Sequence, residues 1–134
     1  MAKLRRLLNF SPTPFPEDVE KRFRVVQVPF HPPPDILEDA NGTKLANYCE
    51  DVILHAIQDK EVLASLKYGL FITVPPALPQ AAVILTAILH GLCGHFPQLL
   101  WHVKQGDKHV PLAAPVDVQW YREQAFTWRK PKEA

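Results

Sequence analysis

Two short apolar runs in the sequence stop abruptly at polar or proline residues. Residues 7–11 read LLNFS, and residues 70–76 read LFITVPP. Each run is typical of a buried strand that ends in a loop, and open α/β sheets bind ligands beyond the carboxyl ends of their strands. The candidate ligand-binding residues at these strand ends and the neighbouring one are Asn9, Phe10, Ser11, Phe30, His31, Pro76, Leu78 and Gln80.

The first of these strand ends offers two kinds of contact. Asn9 and Ser11 carry short donors and acceptors that can contact a phosphate or the edge of a base, or can instead cap the turn. Phe10, together with Phe30 at the end of the next strand, can stack on a base if its ring is exposed. The alternative is that both rings belong to the hydrophobic core.

His31 is the candidate catalytic residue. It follows the apolar run FRVVQVPF and precedes Pro32, Pro33 and Pro34, which hold the chain in a stiff, extended path. An imidazole there can contact a phosphate or transfer a proton near neutral pH, and His95 is the other histidine that invites this interpretation. An ordinary exposed loop histidine is the alternative for His31.

The segment from Pro75 to Gln80 precedes an apolar helix. The first N–H groups of a helix lack partners within it and carry partial positive charge, so they can hold an anion. Pro76, Leu78 and Gln80 belong to this segment, and Gln80 adds a side-chain amide.

Motifs of familiar enzymes are missing from the sequence. There is no GxGxxG after the first strand, no GxxxxGK[ST] and no GxSxG. His90, Cys93 and His95 are close in sequence, but their spacing matches no zinc-binding pattern. We therefore expect neither a metal nor a cofactor.

Length and composition narrow the class of protein. The 134 residues fit one domain, 1–134, whose tail from residue 129 to 134 we expect to be frayed, and the net charge is +1. This charge argues against binding long nucleic acid, although two basic clusters could hold a small anion. The longest apolar stretch is too short for a membrane span, and no signal peptide is evident. The two cysteines form no CxxC motif, which fits a reduced protein of the cytoplasm. The basic clusters are Lys3, Arg5 and Arg6, and Lys21, Arg22 and Arg24.

Strand and helix patterns alternate along the chain and predict an α/β, Rossmann-like domain. We expect a mostly parallel sheet with helices on both faces and a C-terminal hairpin plus helix. The strands are predicted at 4–10, 23–30, 70–74 and 99–103, with 109–112 returning antiparallel to the last. The helices are predicted at 16–22, 43–58, 59–68, 80–92 and 116–128.

The helix predicted at 80–92, QAAVILTAILHGL, is apolar nearly all round. In a chain of this length such a helix is either central or covered by a second subunit. Near the C-terminus, the aromatic segment WYREQAFTW either forms an interface or packs on the sheet.

Taken together, several segments resemble small CRISPR-associated accessory proteins of type III systems, which are Rossmann-like. The similar segments are LLNFS, a second strand ending VPF, and GLFITVPPALPQAAVILTAILHGLCGHFPQLLWHVK. The proline-rich stretch 31–42 is longer than is typical of that family.

The resemblance implies a homodimer that binds cyclic oligoadenylate, in particular cyclic tetra-adenylate, at a two-fold site. A two-fold ring fits a two-fold protein, so each subunit needs only half of the contacts. The expected function is sequestration of the ring, which damps the antiviral signal. The alternatives are a metal-independent ring nuclease and a non-enzymatic interaction subunit, and whether the ligand drives higher assembly is open.

Overall fold

Residues 5–68 and 71–129 are described by this computed structural model, in which they form seven strands and six helices. The strands are β1 (Arg5–Asn9), β2 (Phe23–Gln27), β3 (Phe71–Val74), β4 (Gln98–Leu99), β5 (His102–Gln105), β6 (Lys108–Pro111) and β7 (Val116–Asp117). The helices are α1 (Glu17–Arg22), α2 (Pro34–Leu37), α3 (Thr43–Ala56), α4 (Lys60–Tyr68), α5 (Pro79–Cys93) and α6 (Val118–Thr127).

Five of the strands form one mostly parallel sheet in the order β2-β1-β3-β4-β7, with only β7 antiparallel. From β1 the chain passes through α1 to β2 on one side, and then returns to the other side of β1 as β3. The strand order therefore reverses at β1, which is where open α/β sheets form their binding crevice.

The sheet is covered on both faces, as parallel sheets require. Successive residues of a strand point to opposite faces, so Leu7 packs with Val19 of α1 while Leu8 packs with Ile53 of α3 and Leu85 of α5. The side of α3, α4 and α5 holds the larger core. The predicted α/β class, with helices on both faces and a C-terminal hairpin plus helix, is confirmed.

Local sequence explains where the helices begin and end. Pro16 precedes α1, and acidic residues occupy its first turn, where the helix dipole favours them. The Asp59 carboxylate accepts hydrogen bonds from the N–H groups of Glu61 and Val62, so it caps α4. Gly94 ends α5 in the left-handed region at φ 82°, and its N–H donates to the carbonyl of His90.

Two predicted elements differ from the observed ones near the C-terminus. The run predicted as one strand at 99–103 is split, because Leu100 makes the last hydrogen bond to β3, at Thr73, and the chain then leaves the sheet as a separate β5–β6 hairpin. The helix predicted at 116–128 begins only at Val118, since Val116 and Asp117 first pair with β4 as an edge strand.

Other boundaries moved by a few residues. β2 ends at Gln27 rather than at Phe30, and α3 ends at Ala56 rather than at Gln58. Residues 4 and 70 of the predicted strands, and all of the predicted tail except Arg129, lie outside the described residues. None of the described helices is long and apolar enough to cross a lipid bilayer.

Two glycines at the end of α5 provide a matched test of backbone conformation. We expect Gly94→Ala to lower the free energy of unfolding by about 1–2 kcal/mol, because a Cβ is strained in the left-handed region. Gly91 lies inside the helix with open space around its Cα, so Gly91→Ala should raise that free energy by about 0.5–1 kcal/mol. Denaturant unfolding at one protein concentration compares the two variants, and shifts of the same sign would contradict this account.

Candidate functional site

The carboxyl ends of β1, β2 and β3 together form an apolar pocket of about 310 Å³. The loop after each of these strands supplies part of the wall, and α2 closes one side. None of the described residues that line it is charged. They are Phe10, Pro12, Phe30, Pro32, Leu37, Pro76, Ala77 and Leu78.

Phe10 and Phe30 are wall residues whose rings belong to the core. Only 1% of the surface of Phe10 and 8% of that of Phe30 is exposed. The Phe30 ring also meets Tyr48 of α3 edge-on, with 5.3 Å between the ring centroids. Of the two interpretations left open by the sequence, the structure therefore favours core packing over open stacking on a base, although both rings border the pocket.

Asn9 is fully buried, and its side chain is used within the chain. Its amide nitrogen donates to the Thr13 carbonyl at 3.1 Å and to Gln27 Oε1 at 2.9 Å, and its Oδ1 accepts from the Ser11 N–H at 3.0 Å. Gln27 in turn donates to the Ser11 carbonyl at 2.9 Å. Asn9 thus positions the loop after β1 and keeps no group free for direct contact with a ligand.

Ser11, His31 and Gln80 do not line the pocket, but each lies one or two residues from a wall residue along the chain, and these three residues are called its rim. The Ser11 hydroxyl accepts from the Thr13 N–H at 3.0 Å, which leaves its own proton available to donate. The backbone N–H of His31 donates to the Tyr48 hydroxyl at 2.9 Å, while its side chain is exposed. Gln80 is exposed in the first turn of α5.

The amino end of α5 opens toward the same loops. Leu78 is its N-cap residue and offers no side-chain acceptor, and Pro79 carries no N–H. The first helical hydrogen bond is the one from the Ala82 N–H to the Leu78 carbonyl. The N–H groups of Gln80 and Ala81 therefore lack an intrahelical acceptor, and the helix dipole favours an anion near them.

Other candidates lie far from this pocket. α5 starts at the carboxyl edge of the sheet and spans about 22 Å at 1.5 Å per residue, so His90 and His95 lie near the opposite edge. There the His90 ring stacks on Phe96 at 4.2 Å, and His95 Nδ1 is 3.3 Å from the Cys93 carbonyl oxygen. His95 is therefore not available for proton transfer at the pocket.

The basic clusters also lie at that opposite edge, where β1 and β2 begin. Arg6 and Arg24 share the carboxylate of Glu61 at 3.2 and 2.8 Å, and Arg5 donates to Gln98 Oε1 at 2.7 Å. The Arg6 guanidinium also donates to the Ser65 hydroxyl. These contacts hold α4 against the sheet, so the charges of Arg6 and Arg24 are paired within the protein. Lys3 lies outside the described residues.

Neither metal chemistry nor a thiol nucleophile has support in residues 5–68 and 71–129. They contain no group of three or more His, Cys, Asp or Glu side chains that could hold a metal ion. Burial raises the pKa of the Cys93 thiol to about 11 and also raises the pKa of Cys49, so both stay protonated at neutral pH.

The β5–β6 hairpin covers the other side of the β1 loop. The His102 ring packs on Phe15 with 4.8 Å between centroids, and burial, followed by the charge of His109, lowers the pKa of His102. The strand predicted at 99–103 would place the loop after Val103 at the carboxyl edge of the sheet. Because the chain leaves the sheet at Leu100, the residues at this strand end are instead Trp101 and His102.

Several residues that shape the site were missed from the sequence, among them the wall residues Pro12, Pro32 and Ala77. Gln27 and Tyr48 fix the loops after β1 and β2, and Leu37 of α2 completes the pocket wall. Tyr48 could have been identified from the sequence, since it lies one turn after the apolar Leu45 on the predicted helix. Gln27 could not, because its hydrogen-bond partners are 16 and 18 residues away in sequence.

Comparison with known proteins gives no match. No family model, curated protein or solved structure matches the chain.

Asn9 gives a test of how the site is built. Asn9→Ala should lower the free energy of unfolding by about 2–3 kcal/mol, because it leaves the Ser11 N–H and the Thr13 carbonyl without their partner. Asn9→Asp keeps the acceptor but puts a buried carboxylate beside two oxygens. This variant should be destabilised at neutral pH and should recover in part in mild acid, where the carboxyl is protonated and donates again.

Denaturant unfolding at both pH values measures these effects, and Ser11→Ala is the control in the same loop. The assignment of Asn9 as a positioning residue would be wrong if Asn9→Ala were as stable as the wild type, or if Asn9→Asp lost further stability in acid relative to the wild type.

Proposed function

We propose that this chain binds cyclic oligoadenylate, specifically cyclic tetra-adenylate, at a site shared by two copies of the chain. In this proposal it sequesters the ring in the cytoplasm and so damps type III CRISPR antiviral signalling. The observation that carries the proposal is the apolar pocket at the reversal of strand order, into whose rim the amino end of α5 opens.

The size of the pocket indicates that it binds one part of a larger ligand. Its volume of about 310 Å³ is at the lower end of the roughly 300–1,000 Å³ typical of small-molecule sites. That space suits one nucleoside rather than a ring of four nucleotides. A two-fold ring bound between two copies would engage one such pocket on each of them.

The chemistry of the pocket suits a nucleotide in two ways. Its walls are apolar and include the edges of two aromatic rings, which favours a flat base over a charged group. The rim offers neutral donors for phosphate oxygens, namely the Ser11 hydroxyl, the Gln80 amide and the first N–H groups of α5. A phosphate can be held this way without a strongly basic surface, which agrees with the net charge of +1.

Sequestration is favoured over cleavage because proton-transfer groups are scarce at the pocket. Of the described residues named at its rim, His31 carries the one side chain suited to general acid–base catalysis. Its ring is exposed, and no described side chain orients it as a general base would require. The ring-nuclease alternative would have to rely on alignment of the ribose hydroxyl and on charge stabilisation.

Recovery of the ligand tests the proposal. Labelled cyclic tetra-adenylate incubated with excess protein should shift on a native gel, with one ring bound per two chains. Denaturation should then return the ring intact, and His31→Ala should leave this recovery unchanged. Linear products formed over many turnovers, and slowed in His31→Ala, would establish the ring nuclease instead. Absence of both a gel shift and cleavage would leave the non-enzymatic interaction subunit as the remaining hypothesis.

The rim donors give a second prediction. Gln80→Ala and Ser11→Ala should each weaken binding by roughly 10-fold or more, since each removes a hydrogen bond to a charged group. Gln58→Ala is the matched control, because Gln58 is exposed in the turn after α3 and does not line the pocket. Equal affinities for all three variants in an equilibrium titration would rule out this rim as the phosphate contact.

A further inference from the structure

Helix α6 presents large aromatic side chains to solvent. Trp120, Tyr121 and Trp128 are 51%, 61% and 80% exposed. Trp120 and Trp128 are two turns apart along one face, Tyr121 lies beside them, and the Trp120 and Tyr121 rings are in edge-to-face contact at 4.9 Å. The opposite side of α6 faces the domain, where Gln119 Oε1 accepts from the Phe96 N–H at 2.8 Å. The helix thus holds its aromatic face away from its own core.

An apolar groove of about 450 Å³ lies next to α6 on the same chain. It runs between α5 and β4, and most of the side chains on its α5 side are small. Thr86 is the one described hydroxyl in the lining, and it donates to the Ala82 carbonyl at 2.7 Å, so its hydrogen bond is satisfied internally. Val83 at the groove is 71% exposed. The lining residues are Pro75, Ala82, Val83, Thr86, Ala87, Phe96 and Leu99.

The two surfaces complement each other in shape and chemistry. One is a helix with bulky aromatic projections, and the other is a groove with small, uncharged walls, which is the arrangement of helix-in-groove recognition. They also adjoin, because Phe96 lines the groove and is hydrogen-bonded to α6. A chain that carries both halves side by side can pair reciprocally with its own copy about a two-fold axis.

The exposed area suits such an interface. At about 150–250 Å² per aromatic side chain, the exposed fractions of Trp120, Tyr121 and Trp128 correspond to roughly 300–500 Å² of apolar surface. A standard interface buries roughly 800 Å² on each partner, so the aromatic face alone supplies about half of that area. Apolar patches of this size are among the largest found on monomeric proteins and are often functional.

We infer that the occupant of the groove is α6 of a second copy of this chain, docked reciprocally so that each copy gives a helix and receives one. The inference rests on the homodimer of the proposed function and locates its interface. Pro75 lines the groove and Pro76 lines the ligand pocket, so the interface and the pocket share one loop. A partner seated in the groove therefore stands beside the pocket.

A charge-pair experiment on the full chain tests this geometry. Val83→Glu and Trp120→Lys should each raise the dissociation constant of the dimer at least about 30-fold, as expected for the loss of a central aromatic contact. An equimolar mixture of the two variants should restore a heterodimer, because it keeps one native Val83–Trp120 contact and makes one Glu–Lys pair. Analytical ultracentrifugation without ligand gives the masses, and Leu54→Glu, at an exposed leucine of α3, is the matched control.

Each result decides the inference. Dimeric wild type and control, monomeric single variants and a heterodimer on mixing would support it, and the heterodimer also proves that both variants fold. A monomeric wild type, single variants that stay dimeric, or variants that fail to pair would overturn it. Ring binding is measured separately, so a ring-binding chain with a different interface refutes only this inference, and the expected interface without ring binding refutes only the proposed function.

Discussion

The central position of β1 is the constraint on which the rest of the structure depends. β1 is hydrogen-bonded in parallel to β2 on one side and to β3 on the other. Leu7, Leu8 and Asn9 of β1 are therefore buried, and the chain must cross over once on each face to supply the two neighbours. The same arrangement reverses the strand order at β1 and leaves a crevice at its carboxyl end.

Polar side chains at the end of β1 turn this crevice into a defined site. Asn9 is placed inside the protein by the strand pairing, and there it can be tolerated only because its donors and its acceptor are all satisfied. The contacts that satisfy it also fix the loop that carries Ser11 and Pro12. Tyr48 does the same for the loop after β2, so the rim is shaped by groups that need not touch a ligand.

The outer surface follows from how the C-terminal part of the chain is attached. β7 pairs antiparallel with the short strand β4, and α6 is thereby held against Phe96 with its aromatic face outward. The apolar character of α5, which looks excessive for a helix on one face of a sheet, is explained in the same way. Leu85 and Leu89 are buried in the core, whereas Val83 and Ala87 border the groove.

The sequence was sufficient to predict the alternation of strands and helices, the approximate bounds of α5 and the convergence of three strand ends. These features depend on local patterns of apolar residues, prolines and glycines. The sequence was not sufficient where contacts between residues far apart in the chain determine the structure. The break at Leu100 occurs because β3 ends at Val74 and leaves no strand to pair with, and the internal use of Asn9 depends on Gln27. The outward face of α6 follows from the β4–β7 pairing.

Amide hydrogen exchange with and without cyclic tetra-adenylate tests most directly whether the carboxyl edge is the binding site. The account predicts slower exchange on ligand addition in three segments, 10–13, 28–32 and 77–82, since these carry the loops and the helix end around the pocket. Exchange at the opposite edge, in 22–24, where β2 begins, should not change. Protection confined to that basic edge, or no protection anywhere at saturating ligand, would contradict the account.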